Sequence, residues 1–180
     1  MDRLTVLMNA EEMARTIDRL AYQILEKRGD SPDLALVGIQ RRGADIATRL
    51  AGILGQRLQR AVPCGALDIA LYRDDWTSVN LKPSVGPTSI PFSIQGRDIV
   101  LVDDVLFTTR TVRAALEALL DFGRPRRVEL LVLVDRGHHE LPIHADYVGR
   151  SVNTARTEHV DVLMHERDGT DEVRLVKRES

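Results

Sequence analysis

Ile99-Val100-Leu101-Val102-Asp103-Asp104-Val105-Leu106-Phe107-Thr108-Thr109-Arg110-Thr111 is the stretch on which the reading of this chain turns. Its aliphatic start predicts a buried strand that ends in two adjacent carboxylates, followed by a hydroxyl-rich turn that feeds a helix. Val112, Ala115, Leu116 and Leu119 recur at the helical period, and Gly123 is the expected stop. Backbone N–H groups in the first turn of a helix lack intrahelical acceptors, and the helix dipole favours an anion there. Hydroxyls of Thr108, Thr109 and Thr111 add donors around such an anion, while Asp103 and Asp104 are placed to accept hydrogen bonds from sugar hydroxyls. The layout suits a phosphorylated sugar. Two acids before a helix can also be no more than a cap with favourable dipole charge. The flanking apolar strand and amphipathic helix are what favour the ligand site. There is no G-x-x-x-x-G-K-[ST] loop and no G-x-G-x-x-G after a strand, which argues against the usual nucleoside-triphosphate and dinucleotide sites.

The rest of the chain reads as one α/β domain over residues 1–180. Asn9 and Glu12 form a capping box, after which Met13, Ile17, Leu20, Ala21, Ile24 and Leu25 trace one apolar face as far as Gly29. Leu34–Ile39 is a continuous apolar run, as expected of a strand covered on both faces. Ile46, Leu50, Ile53, Leu54 and Leu58 mark a second helix. Strands are expected at Ala66–Leu71, Asp98–Val102 and Val128–Val134, and this alternation predicts a mainly parallel sheet flanked by helices. Val160, Val162 and Met164, a turn at Asp168-Gly169, then Val173 and Leu175 predict a C-terminal antiparallel hairpin. Between Tyr72 and Pro91 the sequence is polar and turn-rich. It is read as a mobile cover over the site, or in part as an exposed hairpin.

A formal charge of −2 gives no compositional support to a nucleic-acid partner, so such a partner would need a local basic patch. With one cysteine, Cys64, there is no internal disulfide, and that thiol reads as a small core residue. No apolar run has the length of a membrane span and the N-terminus lacks a signal-peptide pattern, so a cytoplasmic location is the expectation. Gln40-Arg41-Arg42-Gly43 follows a strand and precedes a helix, and its two guanidiniums and turn amides suit a pyrophosphate. A solvated basic turn is the plainer reading of the same residues. Arg124, Arg126 and Arg127 follow a helix C-terminus, where cations are favourable, and are read as structural. His138, His139 and His144 lack the helical i, i+4 spacing of a metal pair.

Taken together, the acidic motif, the Gln40–Gly43 turn and the order of elements resemble the type I phosphoribosyltransferases. Asp68-Ile69-Ala70-Leu71-Tyr72-Arg73-Asp74-Asp75, Val102 to Thr108, Gly123-Arg124-Pro125, Val134-Asp135-Arg136-Gly137-His138 and Glu140-Leu141-Pro142-Ile143 are similar, more closely, to the PyrR family of bacterial pyrimidine-operon regulators. The resemblance covers nearly the whole chain. It implies a uracil phosphoribosyltransferase that makes UMP and diphosphate from uracil and 5-phosphoribosyl-1-diphosphate (PRPP), with Mg²⁺ carried on the diphosphate. It also implies a nucleotide-sensing protein, responsive to UMP or UTP, that binds the leader RNA of its operon and self-associates. Within it, Asp103 and Asp104 correspond to the acidic pair on the ribose, Thr108 to Thr111 to the 5-phosphate loop, and Gln40 to Gly43 to the pyrophosphate loop. Tyr72 and Arg73 belong to the flexible loop, and Val134, Asp135, Arg136 and Gly137 border the base. The RNA face is expected at Arg15, Arg19, His139, His144 and Arg150, with Arg136 of the same sign.

Two departures stand out. Where the family usually has Thr-Gly in the phosphate loop, this sequence has Thr108-Thr109, and a β-branched residue takes up positive φ less easily than glycine. On the RNA face, Asp18 adds an acid, and His139 and His144 stand where arginine is typical; a neutral imidazole neutralises no phosphate. An RNA-binding sensor with weak or no turnover is the alternative function.

Overall fold

The computed structural model describes residues 3–72 and 87–177. Five strands, all parallel, form the central sheet in the order β3-β2-β4-β5-β6: β2 (Leu34–Ile39), β3 (Cys64–Leu67), β4 (Asp98–Leu106), β5 (Arg127–Asp135) and β6 (Tyr147–Ser151). Parallel strands need crossover connections: α2 (Arg42–Leu58) joins β2 to β3 and α3 (Arg110–Leu120) joins β4 to β5, while α1 (Ala10–Arg28) leads into β2. Met13, Ile17, Leu20 and Ile24 of α1 and Ile46, Leu50 and Leu54 of α2 pack with Leu36, Val100, Val102 and Leu131 on one face. Val112, Ala115, Ala118 and Leu119 of α3 pack with Val37, Ile99, Leu101 and Val132 on the other. With both faces covered, β2 is buried at every position, as its unbroken apolar run requires.

A second sheet of three antiparallel strands, β1-β8-β7, is built from β1 (Arg3–Met8), β7 (Glu158–Leu163) and β8 (Glu172–Lys177). Its Met8, Val162 and Val173 join the α1/α2 core. The expected C-terminal hairpin is present, with a short helix, α4 (His165–Asp168), in its connection; Gly169 follows in the left-handed region at φ 73°.

Several boundaries differ from expectation, each for a local reason. The Asn9–Glu12 capping box forms as read, with both reciprocal bonds at 2.9 Å. The strand expected at Ala66–Leu71 instead spans Cys64–Leu67, because Asp68 turns the chain by accepting the Ala70 N–H, and Ala70–Tyr72 is a 3-10 turn. α3 ends at Leu120 rather than at Gly123, since the Asp121 and Phe122 amides already bond back to Ala118 and Leu119. β4 does not end at the acidic pair; it runs through Asp103 and Asp104 to Leu106, paired with β5. Cys64 is partly buried against the α1/α2 core, where burial raises its thiol pKa, in keeping with a packing role. No described helix is long and apolar enough to cross a membrane.

Candidate active site

The site is assembled at the carboxyl ends of β2, β4 and β5, where open α/β sheets hold their ligands. β4 is the middle strand, so Asp103 and Asp104 lie at the centre of this edge. Asp103 is 5% exposed and its Oδ1 accepts the Asp104 N–H at 2.9 Å; Asp104 Oδ1 in turn accepts the Val105 N–H at 2.8 Å. The side-chain alternation slips here, because Val102 and Val105, three residues apart, both reach the α1/α2 core. Two successive acids are thereby fixed by local bonds to the main chain, which limits their rotamers and aims them consistently.

The turn Gln40–Gly43 meets this pair directly. A Cβ on Gly43 would lie 2.5 Å from the Val102 carbonyl oxygen and 3.1 Å from Asp103 Cα, so only glycine lets the first turn of α2 rest on β4. Gly38 of β2 serves the same approach from the other side, since a Cβ there would come within 2.3 Å of Ala44 Cα. The structure therefore brings the basic turn and the acidic pair together. Arg41 is exposed, and Arg42 donates through Nη2 to both carboxylate oxygens of Asp168, at 3.0 and 3.3 Å. Of the proposed flexible loop, Tyr72 donates its hydroxyl hydrogen to Asp121, and Arg73 lies outside the described residues, as do 74–86. Within the remainder of that stretch, Ser89 forms an antiparallel bridge with Ala66.

Phe107, Thr108 and Thr109 carry the chain from β4 into α3. Thr109 is the N-cap residue, 2% exposed, at φ 74° and ψ 0°. A left-handed conformation is uncommon for a residue branched at Cβ. Thr109 occupies the backbone position that the glycine of the usual Thr-Gly pair would occupy without strain. Its hydroxyl oxygen makes no cap bond to α3; it accepts the Leu141 N–H at 3.3 Å. Thr108 Oγ1 accepts the Arg110 N–H at 3.4 Å, and the Thr108 carbonyl accepts the Glu140 N–H at 3.0 Å. The Glu140 carboxylate also lies 3.7 Å from Arg110. The segment after β5 is thus fastened to the turn between β4 and α3.

That segment has a built geometry of its own. Gly137 and His138 are both left-handed, at φ 74° and 62°. Asp135 Oδ1 accepts the Gly137 N–H at 2.9 Å and lies 2.8 Å from His139 Nε2. His138 Nε2 lies 2.6 Å from the Thr154 carbonyl oxygen, and its ring meets Phe107 edge-on at 5.7 Å between centroids. Arg136 is a correction to the sequence reading. It is 4% exposed, donates to Thr154 Oγ1 and the Ala155 carbonyl, and covers the Phe107 ring at 3.8 Å. Burial lowers the pKa of its guanidinium from the ordinary arginine value. It braces the segment after β5 from inside and takes no part in an exposed basic face.

The residues proposed for RNA divide into two groups. Arg15, Arg19 and Arg150 line one groove of about 310 Å³ with Met8, Glu12, Thr16 and Gly149. Arg19 donates to the Gly149 carbonyl and Arg150 to the Leu7 carbonyl, while Arg15 pairs with Glu11 one helical turn away. His139 and His144 face each other at 5.9 Å and belong with Asp135 at the sheet edge. Sequence reasoning assigned no role to Thr154, Ala155, Glu140 or Asp168, which lie in irregular segments or in the short α4, act through long-range contacts and carry no periodic signal. Arg126 proves structural as read: it donates to Asp98 at 2.6 Å, at the opposite end of β4 from the acidic pair.

Comparison with known proteins agrees with this geometry. The phosphoribosyl transferase domain family matches residues 5–167. A protein of Thermus thermophilus named bifunctional protein PyrR is 54% identical over 173 residues, which cover 96% of either chain. The bifunctional protein PyrR of Syntrophobacter fumaroxidans is 49% identical over 168 residues, covering 93% of this chain and 90% of that one. Among solved structures, the hypoxanthine phosphoribosyltransferase of Trypanosoma cruzi superposes with a TM-score of 0.71 at 18% identity, over 97% of each chain. The purine phosphoribosyltransferase of Pyrococcus horikoshii gives 0.59 at 23% identity, over 81% of this chain and 86% of that one. At these identities the structural likeness establishes the fold.

Proposed function

The chain belongs to the PyrR family of phosphoribosyltransferase-domain proteins, and from that premise we propose that it joins uracil to the 5-phosphoribosyl group of PRPP and also binds the leader RNA of a pyrimidine operon. The observation that carries the enzymatic half is the close approach of Gly43 to the Val102–Asp103 backbone, where no Cβ would fit, which sets a basic helix-start against a carboxylate pair at the centre of the sheet edge. The two sites carry opposite charge, as the two ends of the reaction need. In the transfer, the anomeric C–O bond of PRPP breaks, the diphosphate departs with the bonding pair, and a uracil nitrogen bonds to the anomeric carbon and loses its proton. The ribosyl group passes through an oxocarbenium-like state.

Asp103 and Asp104 hold the ribose hydroxyls and lie on the side where positive charge develops. Arg41, Arg42 and the amides of the first turn of α2 receive the diphosphate. The Thr108–Thr111 turn and the start of α3 bind the 5-phosphate. Mg²⁺ enters as part of the substrate, carried on the diphosphate. Val134, Asp135, Arg136 and Gly137 form the base side, with Arg136 acting through Phe107 and the backbone. The RNA half of the function is assigned to the groove of Arg15, Arg19 and Arg150.

A steady-state assay of nucleotide formation from PRPP and Mg²⁺ with uracil, guanine or hypoxanthine tests the reading. Uracil alone should be consumed, with UMP and diphosphate formed in equal amounts. Turnover of a purine in its place would reassign the base, and no turnover of any base would leave the RNA-binding sensor as the function.

A further inference from the structure

α2 presents Arg42, Asp45 and Arg49 at i, i+3 and i+7, a charged stripe of alternating sign on one helix face. The connection between β7 and β8 answers each one. Asp168 accepts from Arg42; Arg167 donates to Asp45 with its Nη2 at 3.2 Å; Glu166 and Asp171 both take Arg49, at 2.6 and 2.7 Å from Nη2. These hydrogen bonds hold the Arg49 guanidinium more firmly protonated and lower the pKa values of Glu166 and Asp171, while the Met164 N–H, and after it Arg42, lowers that of Asp168. Pairs with this much exposure contribute little stability singly, so their arrangement matters more than their sum.

Arg42 is the member nearest the site, next in sequence to the Gly43 that packs against the Val102–Asp103 backbone too closely for a Cβ. It is a cation at a helix N-terminus, where the dipole disfavours positive charge and an anionic partner compensates. Asp168 is that partner, and it is itself fixed: its Oδ2 accepts the Met164 N–H at 2.8 Å and its own N–H donates to the Met164 carbonyl at 2.7 Å. Arg42 Nε is buried without a hydrogen-bond acceptor. The guanidinium is therefore anchored through Nη2, so its placement depends on Asp168.

We propose that Asp168, in the connection between the two strands of the small sheet, is a positioning residue for the pyrophosphate loop, holding the Arg42 guanidinium in place at the start of α2. The inference rests on the reading of Gln40–Gly43 as that loop. It makes the β7–β8 connection part of the machinery for binding PRPP, through a residue that need not touch substrate.

Calorimetric titration with PRPP in the presence of Mg²⁺, beside thermal melts and steady-state kinetics, tests it. Asp168→Asn should weaken PRPP binding by roughly three- to tenfold and leave the KM for uracil unchanged. In an Arg42→Gln background the same change should add nothing. Arg167→Gln, which breaks a neighbouring pair of the same network, should shift Tm little and leave PRPP affinity alone. Should Asp168→Asn fold poorly, Asp168→Glu displaces the carboxylate by one methylene and reads the same affinity. Tighter PRPP binding by Asp168→Asn would mean that the carboxylate sequesters Arg42, and would overturn the proposal. So would an equal loss in both Arg42 backgrounds. A parent protein that binds no PRPP overturns the loop assignment and the inference together; a parent that binds it, with Asp168→Asn unchanged, overturns the inference alone.

Discussion

The Leu141 amide donates to the Thr109 hydroxyl across 3.3 Å, tying the segment after β5 to the N-cap of α3. Thr109 meanwhile holds a φ of 74°, in the region that glycine adopts at no steric cost. One side chain thus carries both a backbone strain and a tertiary bond. The strain is on the order of 1–3 kcal/mol and the bond about 1 kcal/mol, so relief should outweigh loss. Thr109→Gly is expected to lower the KM for PRPP with little change in the KM for uracil. Kinetics with each substrate varied in turn decide the matter: a higher KM for PRPP would show that the threonine is a working ligand or brace.

Asp104 is the half-buried member of the acidic pair, and its Oδ1 already serves the Val105 N–H. Asparagine keeps that acceptor and the side-chain volume while removing the charge. Asp104→Asn should fold normally and lose at least roughly tenfold in turnover, about 1.4 kcal/mol of transition-state stabilisation. Unchanged steady-state rates in a well-folded variant would remove Asp104 from the ribose site.

The groove of Arg15, Arg19 and Arg150 makes the RNA assignment testable by salt. Arg15→Gln with Arg19→Gln should weaken leader-RNA binding and flatten its dependence on log salt by about 0.7 for each phosphate that is no longer neutralised. His139→Arg with His144→Arg should leave the salt slope nearly as it is, because these side chains belong with Asp135. Filter-binding titrations over a range of ionic strength separate the two faces. A steeper slope from the arginine pair at 139 and 144 would return the histidine face to the RNA site.

Asp98 accepts from Arg126 at 2.6 Å and from Ser31 at 2.7 Å, and these bonds hold its pKa down to about 2. A carboxylate whose pKa is depressed in the folded state stabilises that state above its unfolded value, near 4, and the contribution fades as pH falls through about 2. Asp98→Asn should therefore lower Tm at neutral pH and reduce the steepness with which Tm falls between pH 4 and 2. Arg126→Gln should act alike on Tm and leave PRPP affinity untouched, since Asp98 sits at the far end of β4 from the site. Thermal melts in a pH series read both; equal slopes for parent and Asp98→Asn would assign the acid limb to other carboxylates.

Periodicity and punctuation made the main elements legible from residue order alone. The capping box of α1, the fully apolar β2, the amphipathic faces of α2 and α3 and the alternation before and after Asp168-Gly169 each follow from local backbone requirements and from which side must be dry. The acidic pair before a hydroxyl-rich helix start was legible for the same reason, since a helix N-terminus and its neighbours are contiguous in sequence. β1 and β6 were not, because a strand of mixed polarity is decided by the strand beside it: exposed Leu4 and Val6 on β1 meet β8 from the far end of the chain, and β6 offers few apolar residues. Nor does residue type show which partner an arginine takes. Arg136 is buried against Phe107, Arg42 is claimed by Asp168, and Arg15, Arg19 and Arg150 share a groove, because long-range packing chooses the partner of each charge. The left-handed Thr109 makes the same point at one residue. Sequence marks a threonine where glycine is usual, while the bond from Leu141, thirty-two positions away, belongs to the tertiary structure that holds it there.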